Sequence, residues 1–390
     1  MAKENEINNT PYEIEKLQQA GISVGQLPRL VEQMFNANQN LFVWGFMGIG
    51  KTQMIEQFVA RKRESNKNFG YYYFPLASML PEDLTGIPMP YQDKETGYNR
   101  TAYAVPKTLP TDENGEGLLV FDEFNNASPS VQNACQQLIQ ERRIGDYHLP
   151  KGYRIIAMGN QSGVNAYSNE IQAPVKDRFG HIFVSSNAEN WADYILGLSE
   201  IEKDTRPFMS NITPDQVKTL TCAFVKRHPD LLFDENEYNK NSYTFATPRS
   251  WERFIKLYSQ NLTATKTDVK RFASIYLGID IASAVIDYFE NSNKYQDPYE
   301  ILVDKKDFRD TQDLNGYMGT LTGCISVLVQ HPDKDQARNL VNAGLKLKKS
   351  EWLTILGKMI LQKAQLKPLV DKDLINQLAE KIAKKNSQVQ

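Results

Sequence analysis

Short apolar runs and amphipathic stretches take turns through the first half of the chain. Leu41 to Trp44, Tyr71 to Leu76, Leu118 to Phe121, Arg154 to Met158 and His181 to Val184 are compact and apolar, the pattern of buried strands. Between them, Leu27 to Phe35 places apolar residues at Leu27, Leu30, Val31, Met34 and Phe35, a helical period. Thr52 to Arg63 and Ser130 to Glu141 read as helices too. Strands alternating with helices predict a mostly parallel sheet covered on both faces. Residues 77–110 break the rhythm: they carry five prolines and read as a loop with apolar anchors. Residues 1–10 read as an unstructured start, with Thr10-Pro11 as a helix cap followed by proline at the first helical position.

After about Ser186 the strand pattern stops. Trp191 to Leu198, Pro214 to Arg227, Pro248 to Ser259, Thr267 to Phe289 and most of Leu314 to Lys385 carry helical patterns. The polar segment Leu232 to Thr247 reads as a loop, and the closing AKKNSQVQ as a frayed end. The expected organisation is an α/β core over 1–186, a helical segment over 187–290 and a further helical region over 291–390.

Composition narrows the function classes. The 390 residues are 41% hydrophobic and 24% charged, a balance that buries a sizeable core without staples. Lys plus Arg, 45, nearly cancels Asp plus Glu, 47, which argues against a whole-protein electrostatic grip on DNA or an anionic membrane. Cys135, Cys222 and Cys324 are far apart, so no disulfide framework is expected and a reducing, cytoplasmic setting is. His148, His181, His228 and His331 show no metal-ligand spacing. The apolar stretch around Ile275 to Phe289 is broken by Asp280 and Asp287 and is too short to span a bilayer.

Two motifs carry chemistry. Gly45-Phe46-Met47-Gly48-Ile49-Gly50-Lys51-Thr52 fits GxxxxGK[ST], follows a predicted strand and opens a predicted helix. Glycines there let backbone N–H groups converge on phosphate oxygens, and the helix N-terminus adds positive potential. Lys51 is placed to reach β- and γ-phosphates, and Thr52 to offer its hydroxyl to Mg²⁺. Downstream, the apolar run Leu118 to Phe121 ends in Asp122-Glu123, two acids where ligands bind in open α/β sheets. Asp122 would hold the Mg²⁺ hydration shell and Glu123 would polarise the attacking water. Read alone, the acid pair would equally suit the start of a solvated loop. Tyr71-Tyr72-Tyr73-Phe74 reads as strand and core rather than a nucleic-acid stacking platform. Arg61-Lys62-Arg63 and Arg142-Arg143 read as solvated helix ends rather than phosphate contacts.

With these motifs in place the sequence resembles an AAA+ ATPase, specifically the MoxR-type branch near the dynein-related AAA domains. Phe121 to Ala127 with Val131-Gln132-Asn133-Ala134 resembles that branch's Walker B strand and following helix. Leu80-Pro81-Glu82-Asp83-Leu84-Thr85-Gly86 is similar to the segment where the branch inserts a hairpin. Arg142 to Pro150 resembles the hairpin before the sensor-1 strand, and Ala157-Met158-Gly159-Asn160 resembles sensor 1. Asp177-Arg178-Phe179 resembles the arginine-finger motif, and Thr247-Pro248-Arg249-Ser250-Trp251-Glu252 the start of a sensor-2 helix. The likeness covers about residues 20–290 in the expected order.

The resemblance implies a P-loop NTPase parallel sheet flanked by helices, followed by an α-helical lid and a helical C-terminal region. It implies ATP and Mg²⁺ as ligands, a homo-oligomeric ring with six subunits as the expected number, and chaperone-like work on a partner, often one with a von Willebrand factor A domain. Asn160 would orient the water; a strand-end turn asparagine is the other reading. Arg178 would act across a subunit boundary; an intrachain ion pair with Asp177 or another acid is the other reading. Arg249 would bridge phosphate and lid, or sit as a surface arginine in the first helical turn. Ile22 to Leu27 is where adenine contacts fall in the resembled family. Two further readings stand beside a protein-remodelling ATPase: a nucleic-acid-directed AAA+ motor, and a nucleotide-gated structural ring with little turnover.

Overall fold

The computed structural model describes residues 16–160, 171, 173–186, 188–196, 206–240, 242–291, 296, 298–309, 314–363 and 365–386. The expected start over 1–10, the Thr10-Pro11 cap, residues 197–198 of an expected helix and the last four residues lie outside the described ones. Two compact units make up the chain. One is drawn from Met1–Ile212 and Asp230–Ser283, the other from Thr213–Pro229 and Ala284–Gln390.

Among the described residues the first unit contains ten strands: β1 Ile22–Ser23, β2 Leu41–Gly45, β3 Gly70–Pro75, β4 Ile87–Gln92, β5 Asn99–Ala104, β6 Glu116–Asp122, β7 Arg143–Ile144, β8 Tyr147–His148, β9 Gly152–Asn160 and β10 Gly180–Ser185. Six of them form one sheet in the order β1-β10-β2-β9-β6-β3, with every neighbouring pair parallel. Five of the six are the apolar runs of the sequence; β1, two residues long, is too short to leave a periodic trace. All five residues of β2 are buried, as a strand covered on both faces requires. Strand β3 is the sheet edge, so of Tyr71 to Phe74 only Phe74 is fully buried; Tyr72 packs half-buried against the core, and Tyr73 stays 43% exposed. The strand reading holds there; the core reading holds for Phe74 and in part for Tyr72, and is corrected for the exposed Tyr73.

Helices cover both faces. Phe42 and Trp44 of β2, Leu119 and Phe121 of β6, and Ile155 and Ala157 of β9 pack with Val131, Cys135 and Leu138 of the helix Pro129–Glu141. On the opposite face, α1 (Leu27–Asn36) packs on α2 (Lys51–Ser65). Two later helices, Pro248–Gln260 and Lys266–Leu277, each begin with a capping box, Thr247 with Ser250 and Thr265 with Asp268. The first packs on α1 and the second on β10. The expected helix Thr267 to Phe289 is two helices, because Gly278 at φ 88° ends Lys266–Leu277 and Ile279–Asn291 starts anew. The segment expected as a loop over 77–110 holds a short helix, Glu82–Thr85, and an antiparallel hairpin of β4 with β5. Its strands are exposed and β4 carries Pro88 and Pro90, so no buried-face alternation marks it. Within Leu232 to Thr247, likewise expected as a loop, Asp234 caps a helix at Glu235–Asn239.

The second unit is helical: Pro214–Arg227, Pro298–Leu302, Leu314–Gln330, Lys334–Leu345, Ser350–Gln362 and Lys372–Asn386. Tyr317 stacks on Trp352 at 4.6 Å and donates its hydroxyl to the Trp352 carbonyl at 2.9 Å. Among the described residues no helix is long and apolar enough to cross a membrane. The α/β sheet with flanking helices and a helical C-terminal region is the fold class expected from the sequence.

Candidate functional site

Chain direction marks the site before any side chain does. After β2 the chain crosses to β3 at the far edge, returns through β6 and β9, and then passes beyond β2 to β10. The reversal opens a crevice at the carboxyl ends of the central strands, where open α/β sheets bind ligands. Gly45 ends β2 in register with Asn160, the end of β9. Asp122 ends β6, the next strand along.

The loop from Phe46 to Gly50 turns with Gly48 at φ 77° and Gly50 at φ 92°, backbone that side-chain-bearing residues avoid. Helix α2 begins at Lys51, so its unpaired N–H groups face the crevice. Lys51 is buried, and its Nζ donates to the carbonyls of Gly45 and Phe46, each at 2.9 Å, and to Asn160 Oδ1 at 3.1 Å. Burial lowers its pKa to about 8, against the opposing pull of Asp122 and Glu123. A buried ammonium whose hydrogen-bond acceptors among the described residues are all neutral suits an incoming anion.

The acid pair is held by its own backbone. Asp122 Oδ1 accepts the Glu123 N–H at 2.8 Å, and Glu123 adopts the left-handed region at φ 53°. Such a conformation in a non-glycine residue costs on the order of 1–3 kcal/mol and recurs at functional sites. It turns the Glu123 carboxylate out of the strand, where it makes no hydrogen bond or ion pair among the described residues. Asp122 Oδ2 accepts from Tyr73 at 2.6 Å and lies 3.4 Å from Thr52 Oγ1. Burial, then the Asp122 carboxylate, push the Tyr73 pKa up, so the phenol stays protonated and donates. Thr52 and Asp122 offer a hydroxyl and a carboxylate, the sparse hard-oxygen set that fits Mg²⁺ retaining most of its water. Among the described residues there is no cluster of three His, Cys, Asp or Glu side chains that would form an all-protein metal cage.

Asn125 is a residue whose role the sequence did not reveal. It is 1% exposed, donates to the Asn160 carbonyl at 2.9 Å and accepts the Asn160 N–H at 3.1 Å. This reciprocal pair fixes the strand end that presents the Asn160 side chain to Lys51. Its position three residues after Asp122 was the available signal.

Arg178 and Arg249 gather around Asp177 instead. Arg249 is ion-paired with Asp177, which also accepts from Thr247 Oγ1 at 2.9 Å. Arg178 is not the partner of Asp177; its guanidinium donates to the Pro174 carbonyl, and Arg253 donates to the Arg178 carbonyl. Burial, and then the nearby Arg249, lower the Arg178 pKa. A buried histidine ties this segment to the phosphate loop. Trp44, next to Gly45, donates Nε1–H to His181 Nδ1 at 2.9 Å, leaving Nε2–H to donate to the Lys176 carbonyl at 2.9 Å. Of the basic runs expected to be solvated, Arg142 is corrected: it donates to the Pro150 and Tyr153 carbonyls at 2.7 and 3.0 Å and secures the β7–β8 hairpin.

Comparisons with known proteins bear on this geometry. Residues 40–179 match the family model described as AAA domain (dynein-related subfamily). The span contains Lys51, Thr52, Asp122, Glu123, Asn160 and Arg178 and ends before Arg249. No curated protein sequence matches. Among solved structures, one provisionally described as an ATPase from Cytophaga hutchinsonii aligns at 14% identity and TM-score 0.43, covering 71% of this chain and 93% of that one. A point mutant of RuvB from Thermotoga maritima aligns at 11% and 0.27, covering 74% and 76%. NtrX from Brucella abortus aligns at 14% and 0.25, covering 85% and 71%. These structural likenesses are too low to carry function.

Proposed function

Residues 40–179 are an AAA+ domain of the dynein-related type, and from that premise we propose that this protein hydrolyses ATP and uses the reaction to remodel or activate a partner protein, as the MoxR-type branch does. One observation carries the reading: Lys51, Thr52, Asp122 and Asn160 converge at the ends of three neighbouring strands, with the Glu123 carboxylate near Lys51 and, among the described residues, in no hydrogen bond or ion pair.

In this reading the phosphates of ATP replace the Gly45 and Phe46 carbonyls as acceptors for Lys51, and the N–H groups of residues 46–52 supply further donors. Mg²⁺ held through Thr52 and Asp122 would offset phosphate charge. Glu123 accepts a proton from the attacking water, and Asn160 orients that water. The water oxygen bonds to the γ-phosphorus, the bridging bond to the β-phosphate breaks, and ADP and phosphate leave. Arg178 from a neighbouring subunit offsets charge that develops on the phosphoryl group, which requires a ring, and we infer a hexamer. Arg249, on the first turn of its helix, couples the helical segment 187–290, acting as a lid, to the state of the site. A partner with a von Willebrand factor A domain is the companion the resemblance supports, and Cys135, Cys222 and Cys324, none of them in a disulfide, suit a cytoplasmic protein.

Affinity capture with Glu123→Gln protein tests the partner. Proteins retained in Mg-ATP and released in Mg-ADP would support remodelling. Retention of nucleic acid alone would favour the motor reading instead.

A further inference from the structure

The two oxygens of Asp122 have different tasks. Oδ1 is committed to the Glu123 N–H at 2.8 Å. Oδ2 accepts the Tyr73 hydroxyl at 2.6 Å and faces Thr52 Oγ1 at 3.4 Å. Oδ2 is therefore the oxygen on the side of the proposed Mg²⁺ ligand Thr52. A carboxylate oxygen has two lone-pair directions. One accepts from Tyr73 and the other accepts the Thr52 hydroxyl, a long 3.4 Å contact that would give way to the ion or one of its waters when Thr52 turns its oxygen to the metal.

The strand register shows how Tyr73 reaches this oxygen. Pro75 of β3 pairs with Asp122 and Tyr73 pairs with Val120, two positions back. The long phenol spans that offset along the sheet edge. Tyr73 is 43% exposed, so burial in the core does not account for its placement. Asp122 is the acceptor its hydroxyl uses among the described residues.

We propose that Tyr73 is a positioning residue for the metal site: its hydroxyl fixes the Asp122 carboxylate with Oδ2 turned toward Thr52, so that the divalent ion enters a preformed site. This rests on the nucleotide reading above. The hydroxyl touches neither phosphate nor metal; it acts through Asp122. Removing such an outer partner typically weakens metal affinity about 10–100-fold.

The test titrates Mn²⁺, read by electron paramagnetic resonance, into the full chain with saturating ADP, for wild type, Tyr73→Phe and Tyr71→Phe. Binding of a fluorescent ADP in EDTA is measured alongside. Tyr73→Phe is expected to weaken Mn²⁺ binding about tenfold while keeping its metal-free ADP affinity and melting temperature. Tyr71→Phe, which gives up only a 3.5 Å contact with Glu56, is expected to bind Mn²⁺ like wild type. Unchanged Mn²⁺ affinity in Tyr73→Phe would overturn the proposal. So would an equal loss of metal-free ADP binding, which would make Tyr73 a structural tether. Wild-type protein that binds no ADP would overturn the nucleotide reading itself, a result distinct from the other two.

Discussion

Lys51 is an ammonium enclosed by the loop it is expected to serve. Three neutral acceptors hold it, and burial has lowered its pKa to about 8. Phosphate would supply a directly bonded negative charge, which none of these three acceptors does. Lys51→Ala is accordingly expected to abolish measurable ATP binding in a calorimetric titration; unchanged affinity would remove the lysine from the phosphates. Asn125 makes a different prediction. Asn125→Ala would leave the Asn160 N–H and carbonyl unsatisfied near the core, at a cost of about 1–3 kcal/mol. Turnover is expected to fall further than nucleotide affinity, because Asn160 loses its anchor while Lys51 keeps two of its three acceptors. Denaturant melts together with ATP titration check both parts. Lys51, Thr52, Asp122 and Glu123 were legible in the sequence because their motifs are contiguous. The Asn125–Asn160 clamp and the Asp177–Arg249 pair join residues 35 and 72 positions apart, which no local pattern records.

Elements meet at His181, on β10 between β2 and the turn containing Lys176. Its ring is buried and neutral, with burial as the main cause of a pKa lowered from 6.5 to about 3. In the unfolded chain the same ring titrates near its ordinary value of about 6.5. Between these values the unfolded state binds more protons, so the stability His181 contributes is complete above the unfolded value and is lost as pH falls. At about pH 5 the loss from this residue is about 2 kcal/mol. Urea melts at neutral pH and at about pH 5 should show it, and His181→Gln should flatten the dependence. Equal slopes for the two proteins would contradict the buried neutral state. At this scale the sequence revealed buried strands well, since continuous apolar runs report burial on both faces. It concealed the β4–β5 hairpin, which is exposed and proline-bearing, and the break at Gly278, whose φ of 88° rather than any loss of apolar pattern divides the helices.

The whole molecule adds a requirement that a single chain does not meet: the proposed role of Arg178 needs a neighbour. Arg178→Ala keeps its own Lys51, Asp122 and Glu123, and Glu123→Gln keeps its own Arg178. Mixed rings contain interfaces that pair an intact Glu123 with an intact Arg178. An arginine finger is worth about 10³–10⁵ in rate, so mixing two inactive proteins should restore phosphate release above background. No recovery in demonstrated mixed rings would place Arg178 in cis or in a structural role. The central claim, that this crevice hydrolyses ATP with Glu123 as the base, is tested most directly by steady-state phosphate release from Mg-ATP by wild type and Glu123→Gln at saturating nucleotide. Wild type is expected to turn over, and the variant to release phosphate at least about a hundredfold more slowly with ATP still bound. Equal rates for the two proteins would contradict that claim.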